Sequence, residues 1–276
     1  MRSRVEIVAD VTDGGRPVLV RLRGEGQLAV RATGPGRVHL VGTAAGPLGG
    51  DVVEISVQVR AGARLEVHGV AATIALPART GGESLTHLAL DVADGGHLGC
   101  VPPPLVVCRG ARVRARTAVT LAGAGGIDLL EQVLLGRHGE PGGDWTARLV
   151  ADRDGLPLVR TTQTSSLVTS ALLPPPAGPG GRAEPDARGG PGGRGGPGGR
   201  AVRAIVTRLQ AGPQPGPPGG AEGPATHGGA VRCALPGGAR LVTALGPDLT
   251  AALADAGAVT AVTGGSAGWP DRSLAR

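Results

Sequence analysis

Gly46-Pro47-Leu48-Gly49-Gly50-Asp51-Val52-Val53-Glu54-Ile55-Ser56-Val57-Gln58-Val59 holds a turn, a carboxylate and a strand in one short stretch. Gly49 and Gly50 permit positive φ values that other residues resist, so the turn can deliver Asp51 to a defined place. Beyond it Val53, Ile55, Val57 and Val59 alternate with Glu54, Ser56, Gln58 and Arg60. That period of two is the pattern of a strand with one buried face.

Working outward, the same punctuation recurs. Apolar-rich runs at 17–22, 27–33 and 37–42 are separated by Gly24-Glu25-Gly26 and Gly34-Pro35-Gly36, the spacing of consecutive strands in an all-β domain. Further strands are expected at 64–68, 84–92, 111–121, 127–135, 201–209 and 240–245, with a short helix over 248–256. Gly62-Ala63-Arg64, Gly110-Ala111-Arg112 and Gly238-Ala239-Arg240 each set a glycine turn just before a strand. One way of turning a corner is reused, as layered or coiled sheets require.

Composition restricts the core and the partners. There is no Phe or Tyr and only Trp145 and Trp269, so Val, Leu, Ala and Ile must supply the buried area of this 276-residue chain. The net charge of +6 is carried by arginine alone. Arg112, Arg114 and Arg116 alternate with apolar residues and have no aromatic neighbours to stack on bases, which reads as a solvated strand face, with no nucleic acid expected as partner. Cys100, Cys108 and Cys233 lack CxxC spacing, so reduced thiols are expected. No run reaches the roughly 20 apolar residues of a membrane span, and the charged residues 1–6 lack the apolar core of a secretion signal. A cytoplasmic location with no membrane partner follows as the expectation.

Residues 174–200 are nearly all Pro, Gly, Arg and Ala and cannot bury enough surface to offset their ordering entropy. The organisation expected is a main β domain over 1–173, a disordered insert at 174–200, strands and a helix at 201–260 completing the same domain around a low-complexity loop at 211–229, and a frayed tail at 261–276. No phosphate loop, His-Glu-x-x-His helix or nucleophile elbow is present, so an enzyme is not expected.

Pro47-Leu48-Gly49-Gly50-Asp51 with its strand, Ala71-Ala72-Thr73, Pro102-Pro103-Pro104 ahead of Gly110-Ala111-Arg112, and Glu131 followed by Gly136-Arg137 and Gly139-Glu140 stand in this order. Together they resemble the landmarks of the UreD (UreH) urease accessory proteins over about residues 15–165. The resemblance implies a mainly β fold, a helically layered stack of strands with one or two short helices near the C-terminus. It implies a non-catalytic urease maturation factor that binds apo-urease and the UreF and UreG accessory proteins. No tightly bound cofactor is implied; a nickel ion passes in transit through an internal tunnel on its way to urease. The chain departs from the family pattern at Val70, Ile74, Gly99, Cys100, Pro103 and Leu130, where the family commonly has Gln, Lys, a Glu-aromatic pair, Gln and Trp.

Nickel is served by imidazole, carboxylate and thiolate, and a carrier needs few, exchangeable ligands. Asp51, His68, His97, Cys100, Glu131 and His138 are the candidates, with Asp51, Glu131 and His68 singled out as transit positions. Asp51 reads equally as the acceptor that holds its own turn. Glu131 interrupts the apolar run 127–135, where a charge is costly unless solvated, paired or lining water. Arg137 and Glu140 are read as interface residues, Arg137 as a carboxylate partner. The alternative reading is an RNA-binding protein acting through residues 182–200.

Overall fold

The computed structural model describes residues 1–166, 202–212 and 225–261. The chain begins with two antiparallel hairpins, β1 (Arg2–Val11) with β2 (Pro17–Glu25), and β3 (Leu28–Gly34) with β4 (Arg37–Gly42). It then shuttles between two sheets. β5 (Val52–Val59) lies in the first, β6 (Arg64–Gly69) and β7 (Thr73–Ala75) in the second, and β8 (Ser84–Val92) in the first again. β9 (His97–Val101) and β10 (Leu105–Val107) return to the second sheet, β11 (Arg112–Leu121) to the first, and β12 (Gly126–Leu135) to the second. The hairpin β13 (Asp144–Arg153) and β14 (Leu156–Thr164) completes the first sheet. β15 (Ala204–Ala211), β16 (Ala225–His227), β17 (Ala230–Ala234) and β18 (Arg240–Gly246) extend the second with antiparallel pairings, and helix α1 (Leu249–Ala261) ends the described chain.

The result is the expected mainly β stack. β5, β8, β11 and β13 pair in parallel in the first sheet, and β4, β6, β9 and β12 pair in parallel in the second. Each rung therefore repeats a level of the interior: Val57, Leu90, Val119 and Ala151 stack from the first sheet, and Leu65, Leu98, Ile127 and Ala211 from the second. All are buried, and the opposite faces carry residues such as Arg112, Arg114 and Arg116 that are exposed or partly exposed. Aliphatic residues fill nearly all of this large core, with Trp145 and Cys100 as the exceptions in its clusters, which suits the inner faces of a strand stack. A smaller apolar cluster forms where α1 lays Ala252 and Ala256 on Leu130, Val206 and Val242, on the outside of the second sheet.

The reused corner is visible in the backbone. Gly62, Gly110 and Gly238 have φ of 69°, 76° and 72°, and the alanine after each is buried and donates its N–H three residues back, Ala63 to Arg60, Ala111 to Cys108 and Ala239 to Pro236. Of the paired glycines in the opening turn only Gly50 has a positive φ, 88°, while Gly46 ahead of them has φ 140°. Gly49 is needed for space instead: a Cβ there would lie 2.8 Å from the Gly82 carbonyl oxygen.

Several strands fall where the sequence reading assigns none. β1 carries a period-two pattern in Val5, Ile7 and Ala9, but its intervening Arg4, Glu6 and Asp10 lower its apparent hydrophobicity. β9 contains Gly99 and runs into prolines, and β13 and β14 hold Asp, Arg and Thr on faces that meet solvent or polar neighbours. Within the stretch 211–229 expected as a loop, Ala211 belongs to β15 and Ala225–His227 pairs with β17 as an edge strand, while residues 213–224 lie outside the described residues. The insert at 174–200, the RNA-binding alternative at 182–200 and most of the tail at 261–276 lie outside the described residues. Cys100, Cys108 and Cys233 are free thiols, the first two buried.

Candidate functional site

The space between the sheets is not filled continuously. One apolar cluster, built on Val57, Leu90, Leu98 and Leu121, occupies one end of the stack, and another, built on Val113, Val133, Trp145 and Ile205, occupies the other. Between them lies a cavity of about 650 Å³. It opens where the second sheet loses its ladder: residues 70–72 separate β6 from β7, and 102–104 separate β9 from β10, while β12 runs past both gaps. Val70, Ala71, Ala72, Ile74, Pro102 and Pro103 line this side, and Val70 and Ile74 are exposed. The small-residue segment Val70-Ala71-Ala72-Thr73, whose role is not legible from composition, is thus cavity wall.

A polar level crosses the interior at this height. Thr117 on β11 donates its hydroxyl to Glu131 Oε1 at 2.6 Å, from one sheet to the other. Gln163 on β14 reaches across in the same way, its amide nitrogen 3.1 Å from the Thr207 hydroxyl and 3.4 Å from that of Thr243. Glu131, Thr207 and Thr243 are in register on β12, β15 and β18. Thr86, Thr117, Glu131, Gln163 and Thr207 all face the cavity, as does buried Trp145, whose indole N–H has no hydrogen-bond partner among the described residues.

Among the described residues Glu131 is the one carboxylate lining this cavity. Burial pushes its carboxyl above the ordinary value, and the Thr117 hydroxyl offsets part of that effect. Cys100, inward on β9, is fully enclosed; burial first, then the nearby charges of Glu131 and Glu66, push its thiol up. A thiol held protonated is a poor ligand for a cation, so the chemistry open to the cavity is that of one carboxyl among hydroxyls, amides, apolar walls and the arginines Arg116 and Arg137.

The other expected residues are distributed elsewhere. Asp51 is buried beside the cavity wall and fully engaged. Its Oδ1 meets the Met1 ammonium, and its Oδ2 accepts from the Leu48 N–H at 2.9 Å and from the Gln27 side-chain amide. Burial pushes its carboxyl up, but the Met1 ammonium, the Leu48 N–H and Gln27 outweigh this and hold it below the ordinary value. Of its two readings, this geometry describes the acceptor that holds its own turn. Because the folded pKa is lowered, the stabilisation is present at neutral pH and lost as pH falls through that lowered value. Asp51→Ala is expected to cost about 1–3 kcal/mol at pH 7, by leaving donors unpaired. The cost should shrink below about pH 4, as the unfolded-state carboxyl protonates; urea denaturation at the two pH values checks both.

Arg137 and Glu140 are each other's partners. The Arg137 guanidinium donates to both Glu140 oxygens at 2.9 and 3.1 Å, and the Arg137 N–H adds a third bond at 2.9 Å. The paired guanidinium holds the Glu140 carboxyl down at about 2. The pair closes the turn after β12, with Arg137 at the cavity rim. His68 lies on the outer face of the second sheet, 3.5 Å from Glu66, away from the cavity. His97, Asp51 and His138 are likewise absent from the cavity lining. Among the described residues no group of three or more His, Cys, Asp or Glu side chains is placed to hold a metal ion, and no helix is long and apolar enough to cross a membrane.

Fold and site together define a class: mainly β proteins in which a coiled two-sheet stack encloses a largely apolar cavity crossed by a polar level, with a single carboxyl among the described lining residues. Residues 2–182 match the UreD urease accessory protein family. The chain belongs to that family. It is 41% identical over 161 residues to urease accessory protein UreD of a Parafrankia species, covering 57% of this chain and 54% of that protein. It is 40% identical over 153 residues to UreD of Streptomyces avermitilis, covering 54% and 61%, and 37% identical over 185 residues to UreD of Streptomyces coelicolor, covering 66% and 69%. The matched region thus spans little more than half the length of the first of these relatives.

Proposed function

We propose that the chain acts in urease maturation as a non-catalytic accessory protein. In this reading it binds apo-urease together with the UreF and UreG accessory proteins and assists delivery of nickel to the urease active site. Membership of the UreD family is the observation that carries the reading. The inter-sheet cavity supports its finer part: nickel is cargo here, and Glu131 offers a cation one exchangeable carboxylate contact, in a lining that also holds Arg116 and Arg137. The apolar rim at Val70 and Ile74 offers surface for a partner, and the Arg137–Glu140 pair stiffens the neighbouring turn. A cytoplasmic location belongs to the same reading. The RNA-binding alternative gains nothing from the family match.

The test is complementation. In a urease-positive bacterium whose own UreD gene is deleted, the full chain, expressed with its cognate urease, UreF and UreG, should restore urease activity and urease-bound nickel at unchanged urease subunit levels. Restored subunits with no gain in nickel or activity would overturn the reading.

A further inference from the structure

We propose that His39 and His68 form a two-imidazole site for a borderline divalent cation on the outer face of the second sheet. The two residues are directly in register on the parallel strands β4 and β6. Their rings lie 5.7 Å apart between centroids, with planes inclined by 32°. A metal about 2 Å from each ring nitrogen leaves two imidazole centroids roughly 5–6 Å apart, so the pair needs little rearrangement to share one ion. Both side chains are partly exposed, which gives an ion a path from solvent.

The surroundings favour that use. The His39 Nδ1 lies 2.7 Å from the Thr33 hydroxyl. With Nδ1 protonated and donating to Thr33, the lone pair stands on Nε2, the arrangement in which metal-ligating histidines are usually held by an outer partner. The His68 Nε2 lies 3.5 Å from Glu66 Oε2. In the tautomer that places its proton on Nδ1, His68 also presents Nε2 to an ion, and Glu66 then faces the cation's charge. Gly99 on the neighbouring strand leaves room for this carboxylate, since a Cβ there would lie 2.2 Å from Glu66 Oε2. Of the cationic side chains on this face, Arg31, in register with His39, turns its guanidinium to the Val30 carbonyl at 2.9 Å, and Arg37 stands in register with Glu66. Two imidazoles and a nearby carboxylate suit nickel or zinc, with water completing the shell, and two protein ligands make an exchangeable site rather than a closed cage.

This site is separate from the cavity, so the two ideas stand or fall independently. The probe is nickel chloride titrated into the full chain, with wild type, His39→Ala, His68→Ala and the double variant compared. Circular dichroism verifies the fold of each. The tightest binding step is expected to weaken at least about tenfold in each single variant, no less than removing an outer partner of a metal ligand does. His87→Ala, on the exposed face of β8 in the first sheet, should leave that step unchanged. A double variant that binds nickel with wild-type affinity and stoichiometry would overturn the assignment, as would a loss of the same size in His87→Ala.

Discussion

Leu98→Ala is expected to lower the unfolding free energy by about 2–5 kcal/mol, measured by urea denaturation at neutral pH. Leu98 is fully buried on β9, stacked in register between Leu65 and Ile127 and facing the first sheet. Parallel rungs on both sides hold the backbone, so the wall cannot collapse into the space that the missing methyls leave. Domains of this size are stable by about 5–15 kcal/mol, and one such cavity removes a large share. A cost below about 1 kcal/mol would mean that the interior at this level is not close-packed.

The second large effect is expected at Glu131 and has two parts. Its carboxyl titrates above the ordinary value of 4.5 because burial disfavours the charged form. The sign follows: its contribution to stability is fully present below that ordinary value and is lost as pH rises through the raised one. Glu131→Gln, which keeps the shape and can still pair with Thr117, should therefore remove this downward trend. Relative to wild type it should be more stable at neutral pH, with the difference vanishing as pH falls below the ordinary carboxyl value. In the complementation strain the same variant should lose most urease activation. A protein that is more stable and less active separates a carboxylate needed for passage of a cation from one needed for folding. Unchanged activation would remove Glu131 from the proposed route, and an unchanged pH profile of stability would contradict its burial.

How far the sequence discloses this arrangement varies by element. β5 and β11 are legible because one face of each is largely aliphatic and the other largely polar or charged, and β8 and β12 because each is a strand-length run rich in aliphatic residues. β1 has the same alternation, yet four charged residues disguise it, and β9 is short and interrupted by glycine. Glu131 is legible as a charge set in an apolar run. Thr86, Thr117, Gln163 and Thr207 are not, because a small polar residue on a strand looks the same whether it faces solvent or an inner cavity. Gln163 meets Thr207 across 44 residues of chain and from the opposite sheet, a proximity that local pattern does not encode. Asp51 is legible as an anchored acid, while its partner at the amino terminus is brought in by the parallel pairing of β1 with β5. The His39–His68 pair likewise follows from strand register and not from spacing.

The parallel stacking also sets an order of assembly. Val53, Thr86, Ala115 and Ala147 are neighbours in one sheet although each pairing closes a loop of some thirty residues. Such ladders form late and slowly, since loop closure precedes any gain from contact. The hairpins β1–β2, β3–β4 and β13–β14 are local and can form first, and each later turn of the coil then adds to an edge that the previous turn left open. During synthesis that open edge is a template for any strand that arrives, including one from another copy of the chain. Yield of the soluble protein should therefore depend on translation speed and on early capture of the growing edge more than on the final strength of the core.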